Sequence, residues 1–429
     1  AEIEPPRRPS DQPGPCQGST TEPPRPTPNV TDSQPPTERM MKRKAASQAH
    51  ARQNKKKKEE KKKEARHLAD GVYSNPPPRE KANNKYFAMA KPILTNVKVS
   101  AADVTSTGFT GMRNPKAELK GVGYEGTQRM LKDKRVYTLD ELVGDGSVFG
   151  FQHIKWDGKT PRPLVDVDGL LFGVAGGQPN DANWNKQQLG GAKKLSEARE
   201  TSSNANSDQT PRRGDFKTMR CGISHGGGQT RPMNLKNTGR NLKTIERLNG
   251  DLFFRTLAGF TSSVFQHWVP KLHQHYNEEL RKLFKHDSSL KPTFETVFTA
   301  TTYNLGPQTL CLPHIDFANL AYGWCSVTAL GNFKHETGGQ LILWECGLVI
   351  DFPPGSTILF TSALIHHSNT AIGDGEERYS FTQYTAGALF RWVAHGFQKV
   401  EEYRKSLESE ELAALDKLNS ERWGRGLLL

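Results

Sequence analysis

No apolar run in the chain is long enough to cross a bilayer as a helix, which excludes an ordinary membrane span. Its five cysteines (Cys16, Cys221, Cys311, Cys325 and Cys346) are odd in number and none stands in a C-x-x-C pair. That usage argues against a disulfide framework and against a zinc ribbon, and it fits a reducing compartment. The N-terminus is acidic and proline-rich where a secretory signal would be basic and then apolar, so a soluble intracellular protein is expected. Apolar residues are also scarce, at 34% of 429, beside 39 glycines and 27 prolines. The length would hold roughly two or three average domains, yet part of the chain lacks the material to pack. One large folded domain with unstructured segments is expected.

Positive charge is plentiful. The formal net charge is +13, and residues 41–66 contribute most of it, with twelve Lys/Arg against three Glu. This block has no apolar face to dock. It reads as a solvated tail, and equally as a nuclear-import or non-specific DNA contact, two readings that are compatible and imply a nuclear location. A basic balance favours polyanions, of which nucleic acid is the commonest large one in cells. Upstream, residues 1–40 hold eleven prolines and almost no large apolar side chains, so residues 1–84 are expected to be a disordered Pro-rich and then Lys/Arg-rich tail.

Apolar content resumes near Lys85, and residues 85–235 read as the N-terminal part of the folded domain. Within it, residues 185–213 turn polar (LGGAKKLSEARETSSNANSDQTPRR) and predict a flexible insertion. SHGGGQTRP, from Ser224, has three consecutive glycines but no strand, helix and lysine context for a phosphate loop, and reads as a tight turn close to ligand. Residues 236–429 begin with apolar positions at helical spacing, from Leu248 to Leu283, which Pro270 either divides into two helices or kinks. His267, His273 and His275 lie there and read as surface or core residues rather than ligands. Beyond Pro292 the pattern becomes one of short strands: TVFTATTYNL, TLCLPHIDF, WCSVTALGNF, GQLILWE, LVIDF, STILFTSAL and RYSFTQYTA. That density predicts an α+β fold with a double-stranded β-helix (jelly-roll) core flanked by helices, the last of them C-terminal and packed outside the sheet.

The chemistry concentrates in the same region. His314 and Asp316, placed two apart in a predicted strand, would project from one face and reach one ion. His366 or His367 would complete a facial triad and leave three adjacent positions open, the arrangement of a non-haem iron(II) site that takes 2-oxoglutarate and O2. Arg378, eleven or twelve residues further on, suits the far carboxylate of 2-oxoglutarate, because a guanidinium is a permanently charged fork. Ser380, two along, can donate to the same carboxylate.

On these residues the chain resembles a known family. HIDFANLAYG is similar to the H-x-D-x-x-N-x-x-x-G of the TET/JBP oxygenases, which oxidise methyl groups on DNA bases. GPQTLCLPHIDFANLAYGWCSVTALGNF, LVIDFPPGSTILF and RYSFTQYTAGALFRWV resemble the mushroom-type fungal members, a group that expanded with mobile elements. The likeness is dense from about Val297 to about Val393 and thin back to about residue 86. It implies that His314, Asp316 and His367 hold iron, since the family has one histidine immediately before Ser-Asn and arginine where His366 stands. It also implies that Arg378, Ser380 and Asn304 hold 2-oxoglutarate and that Asn319 touches an extruded base. Phe317 and Tyr322 are candidate stacking rings, and both also read as core.

The resemblance therefore predicts a monomeric dioxygenase acting on double-stranded DNA with a flipped methylated base. It would convert 5-methylcytosine to hydroxymethyl, formyl and carboxyl forms, or demethylate N6-methyladenine with release of formaldehyde. The rivals are a 2-oxoglutarate oxygenase acting on protein or RNA, which needs the same triad, and a catalytically silent DNA-binding protein derived from a mobile element.

Overall fold

A computed structural model describes residues 80–113, 124–133, 135–202 and 214–429, with Asn54 and Glu59. The expected tail, residues 1–84, lies almost wholly outside the described residues.

Thirteen strands are described: β1 (Ile93–Leu94), β2 (Gln152–Ile154), β3 (Arg162–Val165), β4 (Leu171–Gly177), β5 (Thr218–Ser224), β6 (Met233–Asn234), β7 (Ala300–Asn304), β8 (Cys325–Asn332), β9 (Leu341–Leu343), β10 (Leu348–Ile350), β11 (Thr357–Phe360), β12 (His367–Asn369) and β13 (Glu377–Tyr384). They form a nine-stranded sheet, β1-β3-β4-β11-β8-β13-β7-β5-β6, and a four-stranded sheet, β12-β9-β10-β2. Every pairing is antiparallel except β1 with β3 and β10 with β2. The whole is a mixed α+β structure.

One core cluster draws side chains from both sheets, among them Ala175, Ala329, Ile358 and Phe360 of the large sheet and Leu341, Leu343, Leu348 and Ile350 of the small one. Alternation along each strand then sends the intervening residues the other way. Val174 and Leu359 meet the helices Leu252–Trp268 and Pro270–His286 through Phe265 and Tyr276. Tyr379 and Phe381 meet Phe253, Phe254 and Leu257 of the first of these helices. Pro270 occupies the first turn of the second helix, where its missing N–H is harmless, so it divides the apolar stretch in two. No described helix is long and apolar enough to cross a membrane.

The polar stretch read as a flexible insertion is instead, over Trp184–Thr201, an eighteen-residue helix. Its polar residues are bonded to the sheet. The Trp184 indole donates to the Gly355 carbonyl at 2.9 Å, and the Gln188 amide both donates to the Gly331 carbonyl at 3.1 Å and accepts from its N–H at 3.0 Å. Gly191 lies so close to the Phe253 ring that any side chain there would collide with it. Residues 203–213 fall outside the described residues. SHGGGQTRP is the turn of the β5-β6 hairpin, with Gly226, Gly227 and Gly228 all at positive φ.

Candidate active site

The face alternation that builds the core also sorts the polar residues of the candidate site. Ser380 of β13 pairs with Ala329, a residue of the inter-sheet core, and with Asn304 of β7. Directly opposed residues share a face, so Arg378, Ser380 and Asn304 all look between the sheets. In the small sheet His367 opposes Leu343, also of that core. His367 therefore enters the same interior from the other side.

His314 and Asp316 arrive differently from the expectation, because TLCLPHIDF is not a strand. Pro313 has no N–H to give a ladder. The segment is held instead by an isolated bridge in which the His314 N–H donates to the His367 carbonyl at 3.1 Å and the His367 N–H returns to the His314 carbonyl at 2.9 Å. The Asp316 N–H then donates to the Ser362 carbonyl at 2.8 Å. Looped backbone, not pleat, brings the two side chains together.

The result is a compact donor set. His314 Nε2 lies 3.8 Å from Asp316 Oδ1 and His367 Nε2 lies 3.8 Å from Asp316 Oδ2. The two ring centroids are 4.3 Å apart, and a ligand atom from each residue lies within 4.8 Å of the others. Each ring is oriented from behind. His314 Nδ1 is 2.7 Å from the Leu312 carbonyl and His367 Nδ1 is 2.9 Å from the Ile365 carbonyl. A carbonyl only accepts, so each Nδ1 carries a proton, and in the neutral ring Nε2, the nitrogen on the Asp316 side, is the atom that can ligate. Two neutral imidazoles and one carboxylate, with the remaining positions open, suit a divalent first-row metal ion.

His366 is not part of this set. Its Nδ1 lies 2.5 Å from Glu345 Oε1, and its backbone N–H donates to Glu345 Oε2 at 2.9 Å. Both side chains are buried. Glu345 was not identified from the sequence; it follows β9 by two residues, next to Trp344, whose N–H donates to the His366 carbonyl at 3.0 Å.

Arg378 is 4% exposed. Its Nη1 donates to the carbonyl and hydroxyl of Thr309 at 2.9 and 2.8 Å, while its Nε has no partner. The Phe333 and Phe352 rings flank it at 5.9 and 5.8 Å, within cation–π range. Burial lowers its pKa, and among the described residues no carboxylate pairs with it. A buried guanidinium in that state calls for an anionic ligand. Gly339 lies against it at positive φ, and an added Cβ would come within 3.2 Å of Arg378 Cδ. Asn304 Nδ2 donates to Ser380 Oγ at 2.7 Å, so the amide faces its strand neighbour rather than capping a turn.

Of the candidate substrate residues, Phe317 is half-buried directly after the Asp316–Ser362 contact, with the Arg113 guanidinium 5.9 Å from its ring. Asn319 spends its amide on Ser362 Oγ at 3.0 Å, which braces the loop that carries Asp316. Tyr322 is core, contrary to the stacking expectation. It is 5% exposed, its hydroxyl meets His275 Nε2 at 3.2 Å, and Gly426 of the C-terminal helix Ser409–Leu427 packs on its ring. No face of that ring is left for a base.

No protein-family model matches the chain, and no curated protein matches its sequence. Solved structures that match in part include NgTET1 in complex with 5mC DNA, at 14% identity and a TM-score of 0.38 over 55% of this chain and 82% of that one. Another is a 2OG-Fe(II) oxygenase-family oxidoreductase from Burkholderia pseudomallei, at 18% identity and a TM-score of 0.24 over 41% of this chain and 70% of that one. Overlaps of that size carry no assignment.

Proposed function

We propose that this chain is an iron(II)- and 2-oxoglutarate-dependent dioxygenase that oxidises methyl groups on bases of double-stranded DNA, on a jelly-roll core of the TET/JBP kind. The observation that carries the reading is the convergence of His314 Nε2, His367 Nε2 and the Asp316 carboxylate in the same inter-sheet space as the carboxylate-free Arg378. The donor set fits iron(II), and the orphaned Arg378 Nε fits the far carboxylate of 2-oxoglutarate. When bound, iron(II), 2-oxoglutarate and O2 supply the oxidising power that converts a methyl C–H to C–OH.

The chain's own part is positioning. The Leu312 and Ile365 carbonyls hold the two imidazoles in the ligating tautomer. Arg378 fixes the cosubstrate at one end, and the Ser380–Asn304 pair lies beside it on the same face. A methylated base must leave the duplex to reach this interior, at a cost of a few kcal/mol. Stacking on an aromatic ring offsets about 1–3 kcal/mol per base, and Phe317, next to Asp316 in the chain and with Arg113 above it, is the candidate platform. Lys and Arg contacts to phosphate supply the rest, consistent with the formal charge of +13. The basic block at residues 41–66 supports a nuclear location for such an enzyme.

The test is incubation of duplexes carrying 5-methylcytosine or N6-methyladenine with iron(II), 2-oxoglutarate and ascorbate, followed by mass spectrometry of the nucleosides. Loss of either methylated base, dependent on 2-oxoglutarate and matched by succinate, is the expected result. If neither base is consumed, the DNA assignment is wrong.

A further inference from the structure

We infer that a second pocket, sharing no residue with the metal cluster, binds a phosphate-type oxyanion between the Ser224 glycine turn and the end of the helix Gly387–Ala394. The cavity measures about 210 Å³ and is lined by His225, Gln229 and Thr230 from the turn and by Arg391, His395 and Lys399 from the helix and its exit. That is below the roughly 300–1,000 Å³ of pockets that enclose a drug-sized molecule, so it suits one small group.

Two side chains give the pocket its chemistry. His395 is 1% exposed, yet neither of its ring nitrogens has a hydrogen-bond partner among the described residues. It stacks on Tyr403, with centroids 5.0 Å apart. Burial, and then the positive charges of Arg391, Arg422 and Arg404, push its pKa down to about 4, so the ring is neutral and offers one N–H. Arg391 is half-buried on the wall, and among the described residues no ion pair or hydrogen bond engages its guanidinium. An unsatisfied donor inside a cationic surround is the complement of an anion.

The other charges on the wall do not reverse that balance. Lys399 is paired with Glu402 at 3.2 Å, and Glu401 is an exposed carboxylate on the rim. His225 gives its Nδ1–H to the Ala388 carbonyl at 3.1 Å and stands edge-on to Trp392, which pins the glycine turn to the helix. This assigns the SHGGGQTRP segment a place at a ligand site. It is not a nucleotide loop of the Walker type.

The helix also ties the pocket to the metal-bearing loop. Its first residue, Gly387, donates to the Ala318 carbonyl at 2.9 Å, and Asn319 bridges to Ala386. Eight helical residues span about 12 Å, and a DNA strand rises about 3.4 Å per nucleotide. A backbone phosphate a few nucleotides from an extruded base would reach the pocket; a free phosphorylated compound would fill it equally well.

Titration of the full chain, without iron, with inorganic phosphate in a calorimeter tests the inference independently of the oxygenase reading. Saturable one-site binding is expected, weakened at least tenfold in Arg391→Gln and in His395→Gln. Arg391→Gln removes a partly exposed group with no partner among the described residues, so it decides the matter even if His395→Gln does not fold. A salt series with duplex DNA separates the two sources. If a backbone phosphate fills the pocket, Arg391→Gln lowers the slope of log K against log salt by about 1. If that slope is unchanged while phosphate binding is lost, the ligand is a free phosphorylated compound. Absence of saturable phosphate binding, or an Arg391→Gln variant equal to wild type, overturns the inference.

Discussion

His366 and His367 are neighbours in the chain and belong to two unlike regions of the molecule. His367 opposes Leu343 across the small sheet and enters the inter-sheet interior, where its Nε2 faces Asp316. His366 is engaged by Glu345, through its ring and its backbone N–H. One ring turns its Nε2 to the Asp316 carboxylate, and the other gives its Nδ1 to Glu345. The difference teaches that adjacent histidines are sorted by their surroundings: the ring that meets a second histidine and a carboxylate is the candidate ligand, and the ring that meets Glu345 is not.

That contrast can be broken most severely at Asp316. Asp316→Ala and His367→Ala are expected to abolish turnover, and also to abolish the rise of several degrees in melting temperature that manganese(II) should give the wild-type chain, since binding to the folded state alone stabilises it. Retention of full turnover by Asp316→Ala would end the triad assignment. Next in size, Arg378→Lys keeps a charge but loses the fork. With a charged hydrogen bond worth about 1.5–3 kcal/mol, KM for 2-oxoglutarate should rise about 10- to 100-fold in steady-state assays, with kcat affected less. A smaller loss, about tenfold in kcat/KM for methylated duplex, is expected for Phe317→Ala, and little change in KM for 2-oxoglutarate. The smallest effect on chemistry belongs to His366→Ala. It leaves the buried Glu345 carboxylate with the backbone N–H but without the imidazole, which costs up to about 3–5 kcal/mol of stability. Thermal denaturation should show that loss while turnover per bound iron keeps a measurable fraction of wild type. Equal catalytic loss in His366→Ala and His367→Ala would erase the distinction between the two rings.

Much of the site was legible because its order is written along the chain. The H-x-D pair and one of the two distal histidines come together as a spatial cluster, and the arginine beyond them is buried with no carboxylate partner among the described residues. The route by which His314 and Asp316 meet was not legible. A period of two is a local rule, whereas this segment is held by bonds to His367 and Ser362, roughly fifty residues away. The helix Trp184–Thr201 was hidden for a related reason. Gly190 and Gly191 and a polar composition signal a loop, but Gly191 is there to admit the Phe253 ring and Gln188 to pair with Gly331. Tyr322 illustrates the opposite error, since nearness in sequence to a metal ligand says nothing about which way a ring turns. Glu345 carries no sequence signal of its own and becomes meaningful only once β9 and β12 are paired.

The bridge between His314 and His367 has a consequence for the donor set. The two imidazoles are carried by backbone groups that exchange hydrogen bonds with each other, and each ring is tied to a carbonyl two residues back in its own chain. Their separation is thus set by the backbone that carries them. Asp316 differs from the two histidines in that its backbone N–H bonds to Ser362 and not to either of them, so the carboxylate is the member of the set whose position is fixed independently of the bridge.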